Sequence, residues 1–407
     1  MDWLACSRHI HPRTTCRLFP ARTLGCISEP ADDILILVRF MPPPEIVTKP
    51  LLHGIQTLRG IFAVLVVCHH MGVHSARHWT HDWLGGIFND STFRVDFFFV
   101  LSGFVLWAAH RSDAGAPAAT RLFLRRRFWR LYPLLIALSL FKVLLLCVVP
   151  GRDINFTQVF CSLLALPQSS FPLIVSAWTL SFEMYFMVLL ALCLALPRQW
   201  VLQTLLALVA LLAIAGVLLD IRPSISGAGF FTHPFILEFA AGVVVAECIR
   251  QRHSQLWGML GCGLALLGLI FSAFQHDWLS DQPVIWQKLF WAAVFALGIG
   301  GMVLWERSCA VECWWLRDHW YLGRASYSIF LSHGIVLMAF FDSLNPQLLG
   351  SNPYLINLFF LLVVAVAVLF GLVVYRWVER PLTRWCKSLG RVSPGIQRTP
   401  APQIPLS

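Results

Sequence analysis

Residues 54–73 read GIQTLRGIFAVLVVCHHMGV. The run has the length of about 20 residues that an apolar helix needs to cross a bilayer, yet it carries Arg59, His69 and His70. An ionised side chain at membrane depth costs a few kcal/mol even on lenient insertion scales. Arg59 lies near one boundary of the run, where a long side chain snorkels, but the histidines lie about three turns deeper. At about 100° per residue, the step from Arg59 to His70 closes three turns plus roughly 20°, so the two share one face some 16 Å apart. His69 points about 100° away from His70. An anchoring arginine and a hydrogen-bonded core histidine would account for these residues structurally; a functional pair also accounts for their common face.

The composition extends this reading to the whole chain. Of 407 residues, 57% are hydrophobic and 13% charged, with a mean hydropathy of +0.69. Soluble domains carry about twice that share of charge, so the apolar excess has to face lipid. Apolar runs of membrane length recur near 55–73, 93–110, 131–149, 173–196, 200–219, 230–249, 256–274, 286–305, 322–341 and 354–378. They predict an all-α, polytopic transmembrane bundle of about ten spans. The stretch 158–167 is apolar but too short to cross and reads as interfacial or re-entrant. The formal net charge of +10 reflects basic residues at span ends and calls for no nucleic-acid partner. With the N-terminus inside, the inner connections hold Arg111, Arg121, Arg125, Arg126, Arg127, Arg130, Arg198, Arg250, Arg252, Arg307, Arg317 and Arg324. The outer side holds only Arg77, Arg94, Arg152, Arg222 and Lys288. The positive-inside rule then predicts a multi-pass protein of the cell (inner or plasma) membrane with both termini in the cytoplasm.

Residues 1–45 differ in character, with arginines, prolines and cysteines but no run of membrane length. They are expected to be a poorly ordered segment, with Met41 as the true start. The transmembrane domain is expected over 50–385, and 386–407 as a disordered cytoplasmic tail. The 12 cysteines form no CxxC pair; those in apolar runs read as small buried side chains, and no zinc-type spacing follows Cys309 and Cys313. No metal site and no tightly bound cofactor are expected.

Several further stretches carry ionisable groups into the apolar runs. FRVDFFFVLSGFVL (93–106) places Asp96 at a span boundary, where it either orients a histidine or pairs with Arg94. FLRRRFWRLYP (123–133) puts Arg126 and Arg130 on one helical face, with Arg127 beside Arg130. Guanidinium forks bind phosphates bidentately, so this cluster suits an anionic ligand, and membrane-lipid head groups would suit it too. AWTLSFEMYF (177–186) buries Glu183 in an apolar run, with Thr179 on its face. A lone buried carboxylate needs a donor such as His70, Arg59 or a substrate hydroxyl; Glu238 repeats that signal more weakly. LGRASYSIFLSH (322–333) sets Ser326 and His333 seven apart, on a shared face. YRWVERP (375–381) reads as a boundary cap in which Glu379 meets local arginines. The His276–Asp281 spacing falls in a short loop and is discounted.

In this order, six stretches from LRGIFAVLVVCHH (58–70) to YRWVERP (375–381) resemble the acyltransferase 3 family of integral membrane O-acyltransferases. The resemblance implies acyl-CoA, usually acetyl-CoA, as donor substrate and a hydroxyl acceptor such as a surface or exopolysaccharide. A small natural product or a lipid-linked sugar is the alternative acceptor. The family's Arg and His fall on Arg59 and His70, its arginine-rich loop on Arg127 and Arg130, and its buried Glu on Glu183. The expected site is therefore His70 as general base or acyl carrier, with Glu183 or Asp96 orienting the ring. Arg59, Arg126, Arg127 and Arg130 would hold the donor, and Trp178, Ser181, Ser326 and His333 would line the substrate site. Intramembrane Arg, His and Glu also build transport pathways, but no inverted repeat or paired broken helices accompany them here.

Overall fold

The computed structural model describes residues 53–88, 93–148, 155–252, 254–308, 320–343 and 352–389. The expected N-terminal segment with Met41, the cysteines Cys309 and Cys313, and residues 390–407 lie outside them. Among the described residues, fourteen helices follow in order: α1 (His53–Trp79), α2 (Phe93–His110), α3 (Pro117–Val148), α4 (Phe156–Leu163), α5 (Trp178–Leu194), α6 (Arg198–Leu218), α7 (Gly227–Phe231), α8 (Phe235–Cys248), α9 (Gln255–Phe274), α10 (His276–Ser280), α11 (Val284–Ser308), α12 (Trp320–Ser343), α13 (Pro353–Val374) and α14 (Arg380–Leu389). No strand occurs among the described residues. Ten helical stretches are long and apolar enough to cross a membrane. Helices suit that solvent because each satisfies its backbone groups internally. The molecule is an all-α, multi-pass bundle.

Two boundaries depart from expectation. The third span begins at Pro117 and runs unbroken through Pro133, so Arg121 to Arg130 sit on a helix and not in a loop. Their directions are therefore set by helical phase. At the other end α14 carries the chain to Leu389, into the segment expected to be a tail. The short apolar stretch after the third span forms α4, eight residues long, too short to cross.

The most deeply buried spans are those of α2, α5 and α8, followed by α12 and α11. α6 and α9 keep leucines such as Leu211, Leu264 and Leu267 exposed, as lipid-facing helices do. α1 and α12 run parallel, since Gln56 meets Gly323 and Arg59 meets Ser326 further along both. Any Cβ at Gly323 would collide with the Gln56 carbonyl, so only glycine lets these backbones come so close. That approach brings Ser326 to Arg59. The N-terminus of α1 is capped by Glu306 of α11, whose carboxylate accepts from the His53 and Gly54 amides at 2.6 and 3.1 Å. A carboxylate there also complements the helix dipole.

Lys288 corrects the charge map drawn from sequence. It is no outer-loop cation but lies buried in the first turns of α11, its ammonium 2.7 Å from Asp96 Oδ1 and 4.0 Å from Glu238 Oε1. The same Nζ sits 4.6 Å from the centre of the Phe235 ring. Asp96 is thus held by a lysine 192 positions away. Removing one partner of a buried ion pair typically costs about 3–5 kcal/mol, because the remaining charge is stranded. Lys288→Met is expected to lower the thermal unfolding midpoint of detergent-purified protein. Adding Asp96→Asn and Glu238→Gln should recover most of the loss; no recovery would mean that charge stranding is not the cause.

Candidate active site

A cavity of about 250 Å³ opens between α1, α2, α3, α5 and α12. Arg59, Arg127 and Arg130 line it together with Glu183, Ser102 and Ser326. The Arg59 guanidinium donates to Gln56 Oε1 at 3.2 Å and to Ser326 Oγ at 3.0 Å. It therefore points back toward the start of α1, as long helical side chains do, and away from His70. Ser102 Oγ donates to Glu183 Oε1 at 3.4 Å, which gives the half-buried carboxylate its hydroxyl donor. Tyr327, another lining residue, donates to the Leu131 carbonyl at 2.8 Å and ties α12 to α3. Three guanidinium groups face one carboxylate here, so the wall favours an anion.

Arg127 also borders a second, more open hollow of about 600 Å³, shared with Arg121, Arg125, Phe128 and Tyr132. The Phe128 and Tyr132 rings stack with centroids 4.3 Å apart. Arg127 thus borders both the inner cavity and a basic, aromatic groove between α3 and α5.

The imidazoles form a separate layer. The His70 and His333 rings lie 5.0 Å apart at 31°. Neither is among the residues lining the 250 Å³ cavity. His333 Nδ1 lies 3.2 Å from the Ile329 carbonyl, a contact that requires a proton on Nδ1 and leaves Nε2 as acceptor. The His69 ring also lies against His70, with centroids 5.3 Å apart, while its Nδ1 donates to the Phe88 carbonyl at 2.7 Å. One and two turns beyond His70, His74 and His78 stack on each other at 5.6 Å and both stack on Phe341. Neither of these two is among the residues expected from sequence, although their spacing of four and eight from His70 is the signal that marks them.

The structure brings Arg59, Arg127, Arg130, Glu183 and Ser326 to one cavity, and His70 and His333 to each other. It does not gather the rest. Asp96 is held by Lys288 and, among the described residues, meets no histidine. Arg126 is exposed and lines neither hollow, because helical phase turns Arg127 and Arg130 toward the cavity in its place. Trp178 packs on Phe182 and Phe235. Ser181 is buried away from the cavity, and Thr179 faces it instead. Glu379 lies on a single π-helical turn, Tyr375–Glu379, and accepts from Ser328 Oγ at 2.5 Å. Such π-turns recur at functional sites.

Comparisons with known proteins bear on this arrangement. The acyltransferase 3 family model, described as an acyltransferase domain, matches residues 52–376. The exopolysaccharide production protein ExoZ of Rhizobium meliloti (strain 1021) is 29% identical over 303 residues, which are 71% of this chain and 89% of that protein. No solved structure matches. The matched region contains every residue of the cavity and both central histidines, and the chain belongs to the acyltransferase 3 family.

Proposed function

We propose that this acyltransferase carries an acetyl group from acetyl-CoA to a hydroxyl of a cell-surface polysaccharide, from a plasma-membrane bundle whose two termini face the cytoplasm. The observation that carries the reading is the convergence of Arg59, Arg127 and Arg130 on a cavity one layer away from the His70–His333 pair. The role named for the exopolysaccharide relative supports the acceptor class, and the arginine-rich end of α3 supports the orientation.

In this reading acyl-CoA is a substrate and no cofactor stays bound. The phosphates meet Arg127 and Arg130 as charge-assisted forks, with Arg121 and Arg125 extending that surface. Arg59 holds the donor deeper, and the pantetheine arm covers the roughly 16 Å between Arg59 and His70. His70 takes the proton of the acceptor hydroxyl as general base. The hydroxyl oxygen attacks the thioester carbonyl, the C–S bond breaks, a C–O ester bond forms, and the proton passes to the departing sulfur. His333 positions the His70 ring. Ser102 and Glu183 lie on the donor side of the cavity, where they act on the donor and not on the imidazole.

Purified protein in lipid nanodiscs should release free CoA thiol from acetyl-CoA when supplied with surface polysaccharide from the producing cells. Polysaccharide from a deletion strain should lack an increment of about 42 Da, the mass of an acetyl group. A protein that consumes no acyl-CoA under these conditions would refute the reading. Arg127→Ala and Arg130→Ala should each raise the KM for acetyl-CoA about 10- to 100-fold, the worth of a charge-assisted hydrogen bond, with smaller changes in kcat.

A further inference from the structure

We propose that Phe98 and Phe330 form a partition between the donor cavity and the His70–His333 pair and thereby set the size of the acyl group transferred. The inference rests on the reading that an acyl donor occupies that cavity. Both phenylalanines line it, and their rings lie 5.8 Å apart at 52°, which is contact distance for aromatic side chains.

Their place in the bundle follows from helical rise. On α12, Ser326, Phe330 and His333 succeed one another on a single face, Phe330 about 6 Å and His333 about 10 Å beyond Ser326. Ser326 holds Arg59, and the His333 ring meets both Phe330, at 6.2 Å, and His70, at 5.0 Å. On α2, Phe98 stands one turn from Ser102, the donor to Glu183. The two rings therefore lie between the layer of guanidinium and carboxylate groups and the layer of imidazoles. On the direct line from the first layer to the second an acyl carbon meets these two rings, whether the hydroxyl attacks directly or the imidazole is acylated first.

The partition is stiff on one side. Phe98 packs edge-on against Phe97 at 5.3 Å, and Phe97 is itself stacked on Phe62 at 4.1 Å and edged by Phe295 at 5.7 Å. Interiors this dense yield little volume without strain. A two-carbon acyl group asks for a small displacement of one ring; every added methylene asks for more. Short-chain selectivity then comes from resistance to parting and not from a pocket shaped around the chain.

Thiol release from acetyl-, butanoyl- and hexanoyl-CoA tests this with full-length protein in nanodiscs and the polysaccharide above. Wild type should favour acetyl-CoA. Phe98→Ala and Phe330→Ala should raise the butanoyl-to-acetyl ratio of kcat/KM at least tenfold, the double variant further, and hexanoyl-CoA should become a measurable donor. A ratio within twofold of wild type in variants that still use acetyl-CoA would overturn the proposal. So would a wild type that uses butanoyl-CoA as well as acetyl-CoA, or alanine variants that fold and bind acetyl-CoA yet use no donor. If the alanine variants fail to fold, Phe98→Leu and Phe330→Leu decide by the same ratio. Wild type that uses no acyl-CoA at all would instead sink the donor reading.

Discussion

His70→Ala is expected to reduce acyl transfer by about 10²–10⁴-fold, the usual contribution of a positioned general base, while the protein still inserts and still binds acetyl-CoA. Binding should survive because His70 does not line the cavity proposed to take the donor. Donor affinity is read from the shift in thermal unfolding midpoint with acetyl-CoA, and transfer from ester formed on the polysaccharide. Full activity in His70→Ala would remove the imidazole from the chemistry. Its neighbours make the test specific. His69→Ala removes the hydrogen bond to the Phe88 carbonyl, worth about 1 kcal/mol, and a ring contact with His70 at 5.3 Å, and should lower transfer far less than His70→Ala. His333→Ala should lower kcat with little change in either KM, and His333→Gln should recover part of it, since an amide can also hydrogen-bond within this layer. Equal losses in His69→Ala and His70→Ala would mean that helix geometry, not one ring, was being measured.

The parts of this architecture that depend on one helix at a time are legible in the amino-acid sequence. Span number follows from run length against bilayer thickness, and ten helical stretches of that kind are present. The common face of Arg59 and His70 follows from 3.6 residues per turn. What sequence does not supply is everything decided between helices. Asp96 has Arg94 two positions away, yet the cation on its carboxylate is Lys288, brought over by the packing of α11 on α2. Among three consecutive arginines, spacing alone does not say which faces inward; the position of α5 and α12 against α3 selects Arg127, not Arg126. Phe98 and Phe330 are invisible in the sequence for a different reason. In an apolar run any phenylalanine reads as lipid-facing or core, and only the two serines and two histidines around this pair give it a place between layers.

Arg59→Ala should raise the KM for acetyl-CoA about 10- to 100-fold, again the worth of a charge-assisted hydrogen bond, and leave kcat within a fewfold. The direction of its side chain is the reason. A guanidinium at the depth of His70 would be placed to stabilise charge developing on the reacting carbonyl. Here it reaches the other way, to Gln56 and Ser326, and so would meet the proposed donor well before the thioester. Arg59→Lys tests the fork as well as the charge, since an ammonium on a flexible stem does not reproduce two fixed N–H directions; it should fall between alanine and wild type. Ser326→Ala should mimic part of the arginine loss by freeing one branch of the fork. Steady-state kinetics separates this from a chemical role: a fall in kcat at unchanged KM would put Arg59 at the transition state. With KM effects at Arg59 and kcat effects at His70, one helical face would divide between holding the donor at one end and activating the acceptor at the other. That division would explain why both residues occupy an apolar helix some 16 Å apart, on opposite sides of Phe98 and Phe330.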